Sequence, residues 1–198
     1  MKKLLFTAIM IFLLLSGASF AATTMKTVID AEMNAAHHNN LGLEYLKEKY
    51  YFGAIKEFEI AIGISPNTQA AAVYHCNLGK TYMTIGYPQM AQTQFERAIE
   101  LYPLNFEYYR YLVDSFDKQN ILNDKLIFYT ANKKNRLDDI VIALIYGASG
   151  ELKTDITILD EFCNNEPELL ITPAVKKYLK ELSKYLKETE EKAAGNGK

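Results

Sequence analysis

One set of residues resembles a metal-ligating cluster: His37, His38, His75 and Cys76. A zinc ion needs three or four ligands held in a defined geometry, and two short clusters separated along the chain supply the types without that framework. Metal binding is not expected. The carboxylates available for acid–base work, Glu44, Glu57, Glu59, Asp138 and Asp139, fall on stretches of helical periodicity whose charged faces would be solvated in any case. There is no glycine-rich phosphate loop, no nucleophile elbow and no Cys-x-x-Cys pair. The residues that could do chemistry therefore imply no catalysis and no cofactor.

The elements that position these residues come from an internal repeat. Leu41, Gly42, Tyr45, Ala54, Phe58, Ala61 and Pro66 recur as Leu78, Gly79, Tyr82, Ala91, Phe95, Ala98 and Pro103. In both sets the steps after the glycine are three, nine, four, three and five residues. Leu41 and Tyr45, with the neighbouring Leu46, sit at helix spacing, and so do Ala54, Phe58 and Ala61. Pro66 and Pro103 close the two units, because the residue before a proline is pushed out of the α region. The second unit lies 37 residues after the first.

This pattern resembles the tetratricopeptide repeat, whose unit of about 34 residues is two antiparallel helices. The three extra residues fall within 67–71, so one helix is expected to start early. His38 and His75 stand where the family usually places a packing aromatic, which favours packing over metal binding. The resemblance implies that Gly42 and Ala54 let the helices approach while Tyr45 and Phe58 fill the groove between them. Gly42→Phe or Ala54→Phe should then overpack the pair by about 1–3 kcal/mol.

The rest of the chain keeps the rhythm with fewer identities. Tyr109, Leu112, Val113 and Phe116 fall on the aromatic, Leu, Gly and Tyr positions of a third unit. Ala143, Tyr146, Leu159 and Pro167 fall on the Gly, Tyr, Phe and Pro positions of a fourth. Thr172-Pro173 opens a last helix with an apolar stripe of Val175, Leu179, Leu182 and Leu186, suited to cap a repeat stack. The expected fold is an all-α solenoid of helix pairs. Its expected parts are a signal peptide at 1–21, a lead-in at 22–34 and repeats at 35–68 and 72–105. Degenerate pairs at 106–135 and 136–169, a capping helix at 172–189 and a disordered tail at 190–198 complete it.

The leader has Lys2 and Lys3, an uncharged run from Leu4 to Leu15, and small residues before Ala22. Cleavage after Ala21 and export to the periplasm or medium are expected, with a retained signal anchor as the alternative. Loss of the two leader lysines moves the formal charge from −2 to −4. A mildly acidic chain lacks the basic field that nucleic acids and anionic membranes attract. Cys76 and Cys163 lie on different repeats and read as small buried hydrophobes instead of a disulfide.

The resemblance further implies a groove, lined by the first helix of each pair, that takes up a peptide or a partner's helix. Its positions here are Ala36, Asn39, Leu43 and Leu46, then Val73, Cys76, Asn77, Lys80 and Met83, then Glu107, Arg110, Asp114 and Asp117. Asn77, Lys80 and Arg110 are the expected polar contacts, and Leu43, Leu46 and Met83 the apolar anchors. One subclass grips a terminal carboxylate with two lysines, two asparagines and an arginine. Only Asn77 matches that clamp, the other places holding Asn39, Leu43, Glu107 and Tyr111. The expected role is a protein-interaction scaffold with a protein or peptide partner and a capacity for self-association. The rivals are a structural part of an envelope assembly, docked through the convex face or the last helix, and an accessory domain of a periplasmic enzyme.

Overall fold

A computed structural model describes residues 31–195, with side chains described through residue 193. The expected signal peptide and the start of the lead-in lie outside the described residues. The chain divides into two compact units, Met1–Pro66 and Asn67–Lys198. Among the described residues every regular element is a helix, and none is long and apolar enough to cross a membrane.

The first unit holds α1, helical over 31–47, and α2 (Tyr51–Ile64). Lys49 makes the turn between them in the left-handed region, at φ 60°. Phe58 is fully buried against α1. A Cβ on Gly42 would sit 2.6 Å from its ring, so the bare glycine backbone is the surface on which Phe58 rests. His38 is not a packing ring: its Nδ1 shares a hydrogen bond with Glu57 Oε2 at 2.6 Å, tying the helices together.

The second unit begins with α3 (Gln69–Thr84) and α4 (Pro88–Leu101). α3 does start early, at Thr68, whose side chain accepts a hydrogen bond from the Ala71 N–H at 3.2 Å. The inter-helix contacts of the first pair return here in the same register. A Cβ on Gly79 would meet the Phe95 ring at 2.5 Å, and His75 Nδ1 hydrogen-bonds Gln94 Oε1 at 2.8 Å. The histidines that replace the family's aromatic thus serve as polar ties between first and second helices. Burial holds the His75 pKa below its ordinary value, so the neutral ring makes this bond.

Then follow α5 (Phe106–Lys118), α6 (Leu122–Ala131), α7 (Asp138–Ala148), α8 (Leu152–Asn165) and α9 (Thr172–Gly195). Asn105 caps α5 by accepting from the Glu107 N–H at 3.1 Å. The left-handed turn residues are Lys49, Gly86, Asn120 and Gly150, each seven positions after the glycine position of its pair. The offset is the same in all four pairs. Sixteen positions after the glycine stand Phe58, Phe95, Tyr129 and Leu159. In the fourth pair the exchange is coordinated: glycine becomes Ala143, and the ring becomes the smaller Leu159, both fully buried. In the third, Val113 occupies the glycine position, Tyr129 is only half buried, and α6 has no buried residue. Tyr129 instead borders two cavities of about 340 and 260 Å³.

Two other expectations meet the structure here. The tail expected to be disordered from 190 continues as helix to Gly195. Ion pairs Lys184–Glu188 and Lys187–Glu191 at i,i+4 spacing, and Lys153–Glu190 at 2.9 Å, extend it. Cys76 and Cys163 are free and buried, as read from the sequence, and burial pushes the Cys76 thiol up to about 11.

The glycine contacts set a stability contrast. Gly79→Ala should cost about 1–3 kcal/mol by overpacking Phe95. Gly63→Ala, where an added Cβ meets nothing within 4 Å, should be neutral or gain up to about 1 kcal/mol of helix propensity. Urea unfolding of the two variants measures the difference; equal stability would show that the ring does not depend on the bare backbone.

Candidate partner-binding site

The groove positions divide by burial. Asn39 and Cys76 are only 7 % and 6 % exposed, so they pack inside and do not line an open surface as expected. In the first unit Leu43 and Leu46 are half buried. In the second, Asn77 and Met83 are half buried, and Lys80, Arg110 and Asp114 are exposed. The two cations are engaged with aromatic rings of the chain itself. Lys80 Nζ lies 5.3 Å from the Tyr111 ring centroid, and the Arg110 guanidinium 5.7 Å from that of Tyr178. Arg110 Nη1 also donates to both carboxylate oxygens of Glu107, at 3.1 and 3.2 Å.

Arg110 and Asp114 are brought together around a cavity of about 210 Å³ formed by first helices α5 and α7 and by α9. Val113, Leu144 and Ala148 give it apolar walls, and Gly147 and Tyr178 complete it. The Tyr178 ring is held by Phe106, 5.3 Å between centroids. Burial raises the Asp114 pKa above the ordinary carboxylate value, with Arg110 opposing the shift and Asp117 and Glu107 adding to it.

Behind this wall lies a carboxyl that the sequence reading passed over. Asp155, on α8, is fully buried, and its Oδ2 accepts from the Tyr178 hydroxyl at 3.2 Å. Its Oδ1 has no hydrogen-bond partner. A Cβ on Gly147 would lie 2.3 Å from Oδ2, 3.1 Å from Cγ and 3.5 Å from Cβ of Asp155. The carboxyl therefore points at the bare backbone of Gly147, the residue that walls the cavity on that side. Asp155 stands four residues before Leu159, where the strict repeats place Ala54 and Ala91. A charged residue at an alanine position was the available signal. Gly147 in turn falls where those repeats carry Leu46 and Met83, and only glycine leaves room for the carboxyl. Burial raises the Asp155 pKa to about 7, and the Tyr178 hydrogen bond opposes the shift.

Residues 72–103 match the family model described as Tetratricopeptide repeat. The chain carries a tetratricopeptide repeat. This repeat is the α3–α4 pair, in which the glycine–phenylalanine contact is strict. No curated protein matches the chain. Among solved structures it is similar to the MamA protein, with 21 % identity and TM-score 0.47, covering 82 % of this chain and 94 % of that one. It is similar to the second TPR domain of human RPAP3, solved in complex with an HSP70 peptide. That match has 17 % identity and TM-score 0.46, covering 67 % of this chain and 97 % of that one. It is also similar to YrrB, described as a TPR protein with an unusual peptide-binding site. There the identity is 18 % and the TM-score 0.43, with 72 % and 74 % of the two chains covered.

The buried carboxyl makes stability depend on pH. Because the folded pKa of Asp155 is raised above the unfolded value near 3.8, its favourable contribution is complete below about pH 4. It is lost as pH rises through about 7. Asp155→Asn should therefore raise the thermal midpoint by a few degrees at pH 8 and change it little at pH 4. A variant with the same offset at both pH values would show that Asp155 does not ionise in the folded chain.

Proposed function

We propose that this chain is a protein-interaction scaffold that receives an extended peptide segment on the face built from its first helices. The observation that carries this reading is the cavity among α5, α7 and α9, where Arg110, Asp114 and Tyr178 converge beside Val113, Leu144 and Ala148. A concave site with a few convergent polar groups over apolar walls is the form that ligand recognition usually takes. The tetratricopeptide repeat at 72–103 supports the same role, since stacked repeats present extended surfaces for partners.

We further propose that the scaffold works outside the cytoplasm, on the strength of the leader at 1–21. A mature chain beginning at Ala22 on N-terminal sequencing is the expected result, and a retained Met1 would remove cleavage from the reading.

Site-specific photo-crosslinking tests the binding face. Benzoylphenylalanine at Ala148, beside the cavity, should capture a partner from an envelope extract. The same probe at Ile127, on the second helix α6, should not. Capture only at Ile127 would move the binding face to the second helices and overturn the assignment.

A further inference from the structure

We infer that the cavity between α5, α7 and α9 accepts a cationic side chain, lysine or arginine, presented by the peptide partner. The inference rests on the first-helix face being the binding surface. Which charge the cavity seeks follows from which of its own charges are already satisfied.

The chain's cation at the site is occupied. Arg110 donates to both oxygens of Glu107, and its guanidinium lies over the Tyr178 ring. Lys80, the other expected cation, is held over Tyr111. An incoming carboxylate would have to displace an intramolecular ion pair to reach Arg110. Asp114 lines the cavity and, among the described residues, forms no direct ion pair, the positive charges of Arg110 and Lys118 acting on it at longer range. Asp155 supplies the second, independent observation. It is fully buried with Oδ1 unpartnered, while Oδ2, which accepts from Tyr178, lies against the glycine that walls the cavity.

The shape agrees with the charge. Val113, Leu144 and Ala148 offer apolar contact to the methylene stem of a long cationic side chain. The charged head then reaches Asp114, where a charge-assisted hydrogen bond forms to a carboxylate that Arg110 and Lys118 influence without a direct ion pair. The Tyr178 ring borders the same space with the Arg110 guanidinium over it, and its hydroxyl is held by Asp155. A cation at this point also lowers the cost of a charge on Asp155 behind Gly147, so both carboxyls favour the same ligand.

The test uses the full chain, isotopically labelled, and three capped alanine-rich hexapeptides that differ only in a central lysine, glutamate or alanine. Titration followed by NMR should shift the Gly147 amide and the Tyr178 ring with the lysine peptide. That peptide should bind about tenfold more tightly than the other two, the gain expected of one added charge-assisted contact. Asp114→Asn, at an exposed position, should bring the lysine peptide down to the level of the alanine peptide. Equal binding of all three peptides, or tighter binding of the glutamate peptide, would overturn the cation assignment and leave the first-helix face standing. No shift in α5, α7 or α9 with any peptide would overturn both.

Discussion

A phenyl ring resting on a backbone without a Cβ is the contact on which the helix pairs depend. Phe58 meets Gly42 and Phe95 meets Gly79 at distances that leave no space for a methyl group. The rest of each pair follows from it. With the ring seated, Ala54, Ala61, Ala91 and Ala98 are fully enclosed, and larger side chains at those places would hold the helices apart. Histidines 19 residues before Glu57 and Gln94 then close the edge with a hydrogen bond.

The two later pairs show what happens when that contact is altered. Ala143 with Leu159 keeps the summed volume near constant, and the pair stays tightly closed. Val113 with Tyr129 adds volume at both ends, and the result is a second helix with nothing buried and cavities beside it. The fourth pair carries one more exchange, alanine to Asp155, with Gly147 as the accommodating partner. That exchange brings a carboxyl against the wall of the candidate site. The altered positions of the repeat are therefore the places where this chain departs from a plain helical stack.

Much of this was legible beforehand. Repeat spacing placed the helices, their turns and the buried alanines, because these are local consequences of periodicity and of backbone conformation. Arg110 and Asp114 were legible as surface positions for the same reason. Tyr178, Leu144 and Gly147 were not, since they reach the site from α7 and α9 through packing between units distant along the chain. Asn39 and Cys76 went the other way: helical phase put them on the groove side, and their depth removed them from it. Helical phase gives direction only, and depth depends on neighbours that the spacing does not name.

By itself the sequence determined the all-helical class, the register of four helix pairs and the acidic balance of the chain. Each of these depends on residue type and short-range spacing. Only the tertiary structure decided which charges are free. Arg110 and Lys80 read as available cations, and the fold lays each over a tyrosine ring contributed by another helix. Asp155 drew no attention in the sequence, and the fold encloses it completely. Charge compensation is set by proximity in three dimensions and by exclusion of water, neither of which is written in the order of residues.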